Sequence, residues 1–457
     1  RISFGNETIL DDGTAFVGGQ NIQNAEGFKV TMKLTGQQNV IGIYLKNEGG
    51  AVLDGTKPSS VFFSDILWQE GLAFYRYGPW KAWTKPMNIK KMKDFPENDV
   101  QCFLFKKSSG KYVVMIPLSG YGYRSTLGAE QGIGAKAVCG VDQFDSGEIP
   151  LFVLGYGSDP YRLLTMTYEE GLTLMGLEEN LRKKKSYPEI FEHIGWCTWN
   201  GLGHSLSKET ISHALETFKE GGVIIPNLII DDGWHSINEK RQLISFAPVQ
   251  TKFPEGFSPL IEYLQSNYKV KNVGAWLTLN GYWNGIDPAS DLGEKYSDIL
   301  FRFVETDMLW IQSENEVYYV PSPETADASR FFDEWFQLLK NQGISFLKVD
   351  NQLVTERIAS GELPVWEAAK NMHHNLRKPA ETHFNSTIIN CMDMTNDAFY
   401  HFGKSSVARA VEDYFPYHED ETYNLQKGNA AAHVLSAIYN SLYFSQMVWP
   451  DFDMFQT

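Results

Sequence analysis

The most informative stretch of this chain reads ISFLKVDNQ, at residues 344–352. It follows Gly343, has the length and apolar content of a buried parallel strand, and ends in charged and amide side chains. Because side chains alternate along a strand, Lys348 and Asp350 project from the same face, so the ammonium is expected to keep the carboxylate ionised. On this segment alone, a salt bridge at a strand end is the commoner explanation. We predict a nucleophile at Asp350 because of the residues that accompany it elsewhere.

Short apolar runs alternate with amphipathic segments from about residue 188 onward, which is the pattern of repeated βα units. The predicted helices are 208–219, 258–268, 326–339, 365–376 and 428–442. The predicted strands lie near residues 194–199, 227–232, 273–279, 317–321, 345–350, 386–392, 406–412 and 446–450. Eight strands make a TIM barrel, so residues 189–457 are predicted to form a (β/α)8 catalytic barrel. The chain stops at Thr457 soon after the last strand, and we expect it to be truncated before its last helix and any C-terminal β domain.

The first part of the chain is rich in short alternating runs separated by Gly, Asn and Asp turns, such as residues 28–34 and 112–118. We predict an N-terminal β-sandwich domain at residues 1–188, which includes a connecting helix over 169–185. Within it, residues 74–83 read FYRYGPWKAW and are unusually aromatic. This stretch is either core or an edge that brings Trp83 to a sugar site.

Composition limits the classes of partner. The 457 residues carry a formal charge of −16 and one short basic run, at 182–185, so neither nucleic acid nor an anionic membrane is expected. The longest apolar stretches fall short of the ~20 residues that cross a bilayer. The cysteines form no disulfide framework and no zinc-binding pattern, which favours a cytoplasmic location without a metal or cofactor. The oligomeric state is left open.

The predicted strand ends carry mostly carboxylate, indole and amide side chains. In a TIM barrel these ends meet at one face and form the active site. Clustered carboxylates are costly unless a polyol, a cation or a catalytic cycle uses them, and indole faces suit the C–H faces of sugars. We therefore predict a carbohydrate site. Its candidate residues, with Trp83 from the N-terminal region, are Trp83, Trp196, Trp199, Asp231, Asp232, Trp276, Lys348, Asp350, Cys391, Arg409 and Asp413.

Several candidates have structural alternatives. Asp231 and Asp232 could cap the next segment, although their place after a barrel strand favours binding. One of Trp196 and Trp199 is expected to pack within the barrel, and Cys391 could be a small buried hydrophobe. A metal held by the acidic residues is disfavoured. Structural or ordinary polar roles are assigned to Asp393, Asp451, Asp453, His193, His204 and His235.

Six ordered motifs resemble glycoside hydrolase family 36. They are most similar to its raffinose-synthase-like branch, which includes alkaline and archaeal α-galactosidases. The motifs are GWCTWN at 195–200, LIIDDGW at 228–234, GYW at 281–283, KVD at 348–350, Arg409 with EDYF at 412–415, and WPDFDMFQ at 449–456.

The resemblance implies a retaining enzyme in which Asp350 is the nucleophile and Asp413 is the general acid/base. It also implies that Asp231 and Asp232 grip galactose hydroxyls. Lys348, Arg409, Cys391 and Trp276 are similar to further sugar contacts. The sequence departs from the branch at Asn200 and Asn351. It also has Glu412 where plant members tend to have a second Asp, which leaves Glu412 as a second candidate proton donor.

Such an enzyme works by two displacements, and its two carboxyl groups lie about 5–5.5 Å apart. We expect a hydrolase that releases galactose from α-galactosides of the melibiose or raffinose type, because the predicted barrel loops are short. The alternative is a galactosyltransferase of the raffinose or stachyose synthase type, which shares the first half-reaction. A further alternative is a non-catalytic carbohydrate-binding protein.

Overall fold

The computed structural model describes residues 1–24, 27–78, 81–144, 147–304, 317–358, 361–415 and 429–453. Pro79, Trp80 and residues 454–456 belong to predicted motifs and lie outside the described residues. Within these ranges, no helix combines the length and apolar character needed to cross a membrane.

The N-terminal part is built from antiparallel strands. In chain order they are β1 (Ile2–Phe4), β2 (Glu7–Val17), β3 (Gln20–Asn21), β4 (Phe28–Leu34), β5 (Val40–Asn47), β6 (Ser59–Asp65), β7 (Glu70–Tyr77), β8 (Trp83–Ile89), β9 (Val100–Lys106), β10 (Tyr112–Pro117), β11 (Arg124–Ala129), β12 (Ile133–Val138) and β13 (Glu148–Gly157). Among the described residues their main order is β1-β2-β6-β12-β11-β9-β10-β13-β5-β4, with β7 joining β8 to β9. Leu10 of β2 and Ile43 of β5 lie far apart in this order but share one buried core, so the sheet folds into two facing layers.

Helix α1 (Pro160–Met175) follows the sandwich and packs on β10 and β13. The predicted helix over 169–185 is therefore placed too late in the chain. The side chain of Asp159 caps the start, because it accepts hydrogen bonds from two backbone N–H groups, and Pro160 suits the first helical position. Gly176 ends the helix in the left-handed region at φ 71°.

The second part of the chain alternates strands and helices. In order its elements are β14 (Gly195–Cys197), α2 (Trp199–Leu202), α3 (Lys208–Glu220), β15 (Asn227–Ile230), β16 (His235–Ile237), β17 (Leu243–Pro248), α4 (Ser258–Tyr268), β18 (Asn272–Thr278), α5 (Asp291–Lys295), β19 (Leu300–Val304), β20 (Val317–Pro321), α6 (Ser329–Asn341), β21 (Phe346–Asp350), α7 (Thr355–Ile358), α8 (Val365–Phe384), β22 (Ile388–Asn390), α9 (Asn396–Phe399), β23 (Val407–Arg409), α10 (Ala430–Phe444) and β24 (Trp449–Asp451).

A parallel sheet forms the centre of this part. In the described chain it has seven strands in the order β14-β15-β18-β21-β22-β23-β24. The fold class predicted from the sequence, a β-sandwich followed by a TIM-like barrel, is confirmed. The predicted fourth strand at 317–321 is wrong as a barrel strand, because β20 pairs antiparallel with β19 in a separate hairpin. The domain boundary between residues 188 and 189 stays a prediction.

The sandwich and the barrel share a buried interface. Phe74 of β7 contacts the ring of Tyr443 on α10, with ring centroids 4.7 Å apart, within a core that draws on both parts. Charged groups cross the same interface. Arg76 Nη1 donates to Glu356 Oε1 at 2.7 Å, and Arg124 Nη1 lies 3.1 Å from the same oxygen. The N-terminal domain is thus fixed against the loops that follow the parallel strands.

Candidate active site

A cavity of about 220 Å³ lies at the C-terminal ends of the parallel strands. Its volume is below the ~300–1,000 Å³ typical of pockets for drug-sized ligands, so it suits a single sugar ring. Side chains from several barrel strands and from β8 of the sandwich reach it. The described residues that line it are Trp83, Trp199, Asp231, Asp232, Trp276, Trp283, Lys348, Asp350, Cys391, Met392, Glu412, Asp413, Phe415 and Asn429.

Asp350 is the last residue of β21, and it is 8% exposed. Its Oδ2 accepts a hydrogen bond from Trp276 Nε1 at 3.0 Å, and its Oδ1 accepts one from the backbone N–H of Asn351 at 2.7 Å. Asn351 has a left-handed backbone with φ 56°, which turns the chain sharply after the strand. Both carboxylate oxygens are therefore held in fixed positions within the cavity.

Lys348 serves two carboxylates. Its Nζ forms a direct ion pair with Asp231, 2.8 Å from Oδ2. Its charge also opposes the rise that burial causes in the pKa of Asp350, without a hydrogen bond between the two side chains. Burial raises the pKa of Asp350 above its ordinary value, Lys348 and the N–H donors lower it, and the charge of Asp413 raises it. Asp350 is thus a buried carboxyl whose proton affinity remains above normal despite its cationic neighbour.

Asp231 and Asp232 follow β15 and have separate sets of partners. Asp231 Oδ2 accepts from Lys348 and from the thiol of Cys197, whose Sγ lies 3.0 Å away. Among the described residues, Asp232 has three side-chain donors. They are Tyr282 Oη at 2.6 Å, Trp283 Nε1 at 2.8 Å and His204 Nε2 at 3.1 Å.

These donors determine the charge of Asp232. Burial opposes ionisation, but the hydrogen bonds from His204, Tyr282 and Trp283 bring the pKa of Asp232 below its ordinary value. The pair therefore presents oxygen acceptors of fixed orientation to the cavity, as hydroxyl recognition requires. In the described part of the chain, no three His, Cys, Asp or Glu side chains are grouped so as to hold a metal ion.

Asp413 lies in the loop after β23, and this loop is held by side chains. Asp413 Oδ1 accepts from Arg409 Nη2 at 3.1 Å, while the Asp413 side chain stays 32% exposed. Asn429 Nδ2 donates to the carbonyl of Asp413 at 2.6 Å, and the N–H of Phe415 donates to Asn429 Oδ1 at 2.7 Å. A buried carboxyl group at Asp350 and an accessible one at Asp413 thus line one cavity, and a pair of carboxyl groups is what cleavage of a glycosidic bond commonly uses.

Glu412 also lines the cavity and is 5% exposed. Burial raises the pKa of Glu412, and hydrogen bonds from Tyr77 and Asn429 lower it, with a net rise above the ordinary value. Its Oε2 has no hydrogen-bond partner among the described residues. Glu412 is therefore less accessible than Asp413, and its role as an alternative proton donor stays a prediction.

Two predicted residues do not line the cavity. Trp196 packs on Phe218 of α3, with ring centroids 5.4 Å apart, because alternation along β14 turns Cys197 toward Asp231 and Trp196 away from it. Trp196 thus lies outside the described lining of this cavity, and its predicted sugar contact stays a prediction. Arg409 lies behind Asp413, and its guanidinium carbon is 5.3 Å from the centroid of the Trp83 ring. The other nine predicted site residues lie in the lining of the cavity.

Some residues of this site were not predicted from the sequence. His204 was assigned an ordinary polar role but contacts Asp232, and Trp283 and Phe415 were quoted in motifs without being assigned to the site. Their signal was their position in those motifs. Asn429 and Met392 gave no signal, because Asn429 reaches the Asp413 loop only through the tertiary fold and Met392 looks like an ordinary core residue.

The chain is similar to known proteins in sequence and in fold. The family model described as raffinose synthase or seed imbibition protein Sip1 matches residues 29–255 and 245–457. The probable galactinol–sucrose galactosyltransferase 1 of Arabidopsis thaliana is 25% identical over 400 residues, which cover 77% of this chain and 50% of that protein. The galactinol–sucrose galactosyltransferase of Pisum sativum is 26% identical over 398 residues, which cover 76% of this chain and 48% of that protein. The chain spans about half the length of these relatives.

Among solved structures, an α-galactosidase from Thermus thermophilus in complex with stachyose matches with a TM-score of 0.60 and 13% identity, over 97% of this chain and 88% of that one. The family 36 α-galactosidase AgaB from Geobacillus stearothermophilus matches with a TM-score of 0.54 and 12% identity, over 98% of this chain and 68% of that one. At these identities the structures support the fold. The chain belongs to the raffinose synthase and seed imbibition protein family, and its fold is similar to that of family 36 α-galactosidases.

Proposed function

We propose that this chain transfers α-galactosyl groups by double displacement, as a galactosyltransferase of the raffinose-synthase type. The observation that carries the proposal is that Asp350 and Asp413 line one cavity sized for a sugar ring, together with Asp231, Asp232 and several indoles. Family membership supports α-galactoside chemistry at this site.

In the first half-reaction, Asp350 attacks the anomeric carbon of the galactosyl donor. The bond from that carbon to the glycosidic oxygen breaks, and Asp413 gives its proton to the departing oxygen. The products are a galactosyl ester on Asp350 and a neutral alcohol. The hydrogen bonds from Trp276 and Asn351 hold the attacking carboxylate in place, which reduces the entropic cost of reaching the transition state.

In the second half-reaction, Asp413 acts as a base. An acceptor hydroxyl gives its proton to the Asp413 carboxylate and attacks the anomeric carbon, and the carboxylate of Asp350 is released. Two inversions retain the α configuration. The acceptor is either a sugar, which gives transfer, or water, which gives hydrolysis.

The relatives support a sugar as acceptor. The matched proteins from Arabidopsis thaliana and Pisum sativum are named as galactosyltransferases acting between galactinol and sucrose. Hydrolysis was the expectation from the short predicted loops, and these names favour the alternative.

The experiment is product analysis by NMR. The chain is incubated with p-nitrophenyl α-D-galactopyranoside, with and without sucrose, beside the variant Asp350→Asn. We expect nitrophenol release, an α-linked galactosyl-sucrose product, and a loss of turnover in the variant of at least about 10³-fold. If free galactose were the sole sugar product at saturating sucrose, the chain would be a hydrolase and the proposal of transfer would be wrong. No nitrophenol release would contradict both.

A further inference from the structure

The carboxylate of Asp453, two residues after β24, is shared between two neighbours. Its Oδ1 lies 2.9 Å from Arg409 Nη1, and its Oδ2 accepts a hydrogen bond from the backbone N–H of Tyr414 at 2.9 Å. The Asp453 side chain is 4% exposed and its backbone is left-handed, with φ 62°. One side chain thus joins the seventh parallel strand to the loop that carries Asp413.

Arg409 lies between Asp453 and Asp413. Its side chain is 1% exposed, Nη1 faces Asp453, and Nη2 donates to Asp413 at 3.1 Å and to the carbonyl of Val411 at 3.0 Å. Two carboxylates therefore share one guanidinium. Among the described residues, Asp453 and Asp413 are the two carboxylates in direct contact with Arg409, so without Asp453 more of its positive charge would act on Asp413.

We propose that Asp453 is a positioning residue for proton transfer by Asp413. Through Arg409 it limits the positive charge that Asp413 experiences, and through the N–H of Tyr414 it fixes the loop on which Asp413 stands. Asp453 does not line the sugar cavity, so it acts through Arg409 and the loop without contacting the substrate. The proposal rests on the proposed function, in which Asp413 is the general acid/base.

The test separates proton donation from the rest of catalysis by the choice of leaving group. A p-nitrophenolate departs without a proton, whereas the sugar alkoxide of raffinose needs one, and general acid catalysis is worth typically about 10²–10⁴-fold. The variants Asp453→Asn and Asp413→Asn are compared with wild type. Nitrophenol release is measured in a single turnover with enzyme in excess, and kcat/KM is measured with raffinose.

For Asp453→Asn we expect about a 10- to 100-fold loss in kcat/KM with raffinose, which is part of the rate enhancement that general acid catalysis supplies. In single-turnover nitrophenol release we expect less than about a threefold loss, because this leaving group needs no proton. Asp298→Asn breaks an exposed pair with Arg330 and is the matched control for losing one Asp–Arg pair. We expect it to match wild type with both substrates. Equal losses with both substrates in Asp453→Asn would overturn the inference, because a merely structural defect does not distinguish leaving groups.

Asp413→Asn keeps this outcome distinct from a failure of the proposed function. If the loss in Asp413→Asn does not depend on the leaving group, the assignment of the acid/base is wrong. If the loss depends on the leaving group in Asp413→Asn but not in Asp453→Asn, only the inference about Asp453 is wrong. Should Asp453→Asn fail to fold, Asp453→Glu is measured in the same way. The glutamate keeps a negative charge beside Arg409 but is one methylene too long for the N–H of Tyr414. We therefore expect a smaller loss than in Asp453→Asn, again in kcat/KM with raffinose and not in nitrophenol release. Equal losses with both substrates would contradict the inference.

Discussion

Asp232 and Asp350 are both buried, and the balance between burial and neighbouring groups moves their pKa values in opposite directions. Asp232 accepts from three side-chain donors, which outweigh the effect of burial and lower its pKa. Asp350 accepts from one indole and one backbone N–H, and burial prevails, so its pKa is raised. The binding carboxylate therefore stays charged over a wider pH range than the nucleophile, and the acid limb of activity is expected to report Asp350.

Replacing Trp276 with Phe tests this assignment. The indole N–H stabilises the ionised form of Asp350, so its loss favours the protonated form and raises the pKa of Asp350 further. Because attack requires the carboxylate, we expect the acid limb of kcat/KM for an aryl α-galactoside to move to higher pH. Trp199→Phe is the control, since Trp199 lines the same cavity and has no hydrogen bond to Asp350 in the described structure. An unmoved limb in Trp276→Phe would contradict the assignment of that limb to Asp350.

At the scale of elements, α7 connects the nucleophile strand to the sandwich. Glu356 on α7 accepts from Arg76 of β7 and lies in contact with Arg124 of β11, and these two cations have further partners in Asp99 and Asp397. The Arg76 side chain is 3% exposed, so an uncompensated charge there would be costly. This group of charges holds the segment after Asp350 against the N-terminal domain.

The variant Glu356→Gln is expected to lower the free energy of unfolding by about 1–3 kcal/mol, because Arg76 and Arg124 each lose one partner while Asp99 and Asp397 remain. Urea unfolding followed by tryptophan fluorescence measures the change. Glu367→Gln breaks the exposed pair with Lys370 and should cost less than about 1 kcal/mol. Similar losses in the two variants would show that the group around Glu356 is not a buried network in solution.

The elements best predicted from sequence are those with strong local signals. The prediction for α4 at 258–268 matches the observed bounds, and α3 differs from its prediction by one residue at its end. The strand at 317–321 was misassigned because its apolar residues fit a barrel strand as well as a hairpin, and its pairing with β19 is a tertiary choice. Likewise, nothing local to Cys197 and Trp196 indicates which of the two faces Asp231.

At the scale of the whole molecule, the sandwich completes the core and the site of the barrel. Trp83 of β8 lines the cavity, and Thr84 Oγ1 lies 2.7 Å from the hydroxyl of Tyr443 on α10. Tyr400 Oη donates to the carbonyl of Pro117 at 2.8 Å in the same buried region. An interface of this kind resembles a domain core more than the polar contact between independently moving domains.

We therefore expect the sandwich and the barrel to unfold together. Calorimetry should give one transition, with the calorimetric and van't Hoff enthalpies equal and activity lost at the same temperature. Phe74→Ala removes a buried ring from the shared core and should lower the stability by about 3–5 kcal/mol while keeping the transition single, because both parts lose the same contact. Leu435→Ala on the exposed face of α10 is the control and should shift the transition little. Two outcomes would contradict this expectation: two separated transitions in Phe74→Ala, or loss of activity well before the main transition in wild type. Either would mean that the barrel holds its site without the sandwich. The barrel alone would then have to keep Trp83 in the cavity.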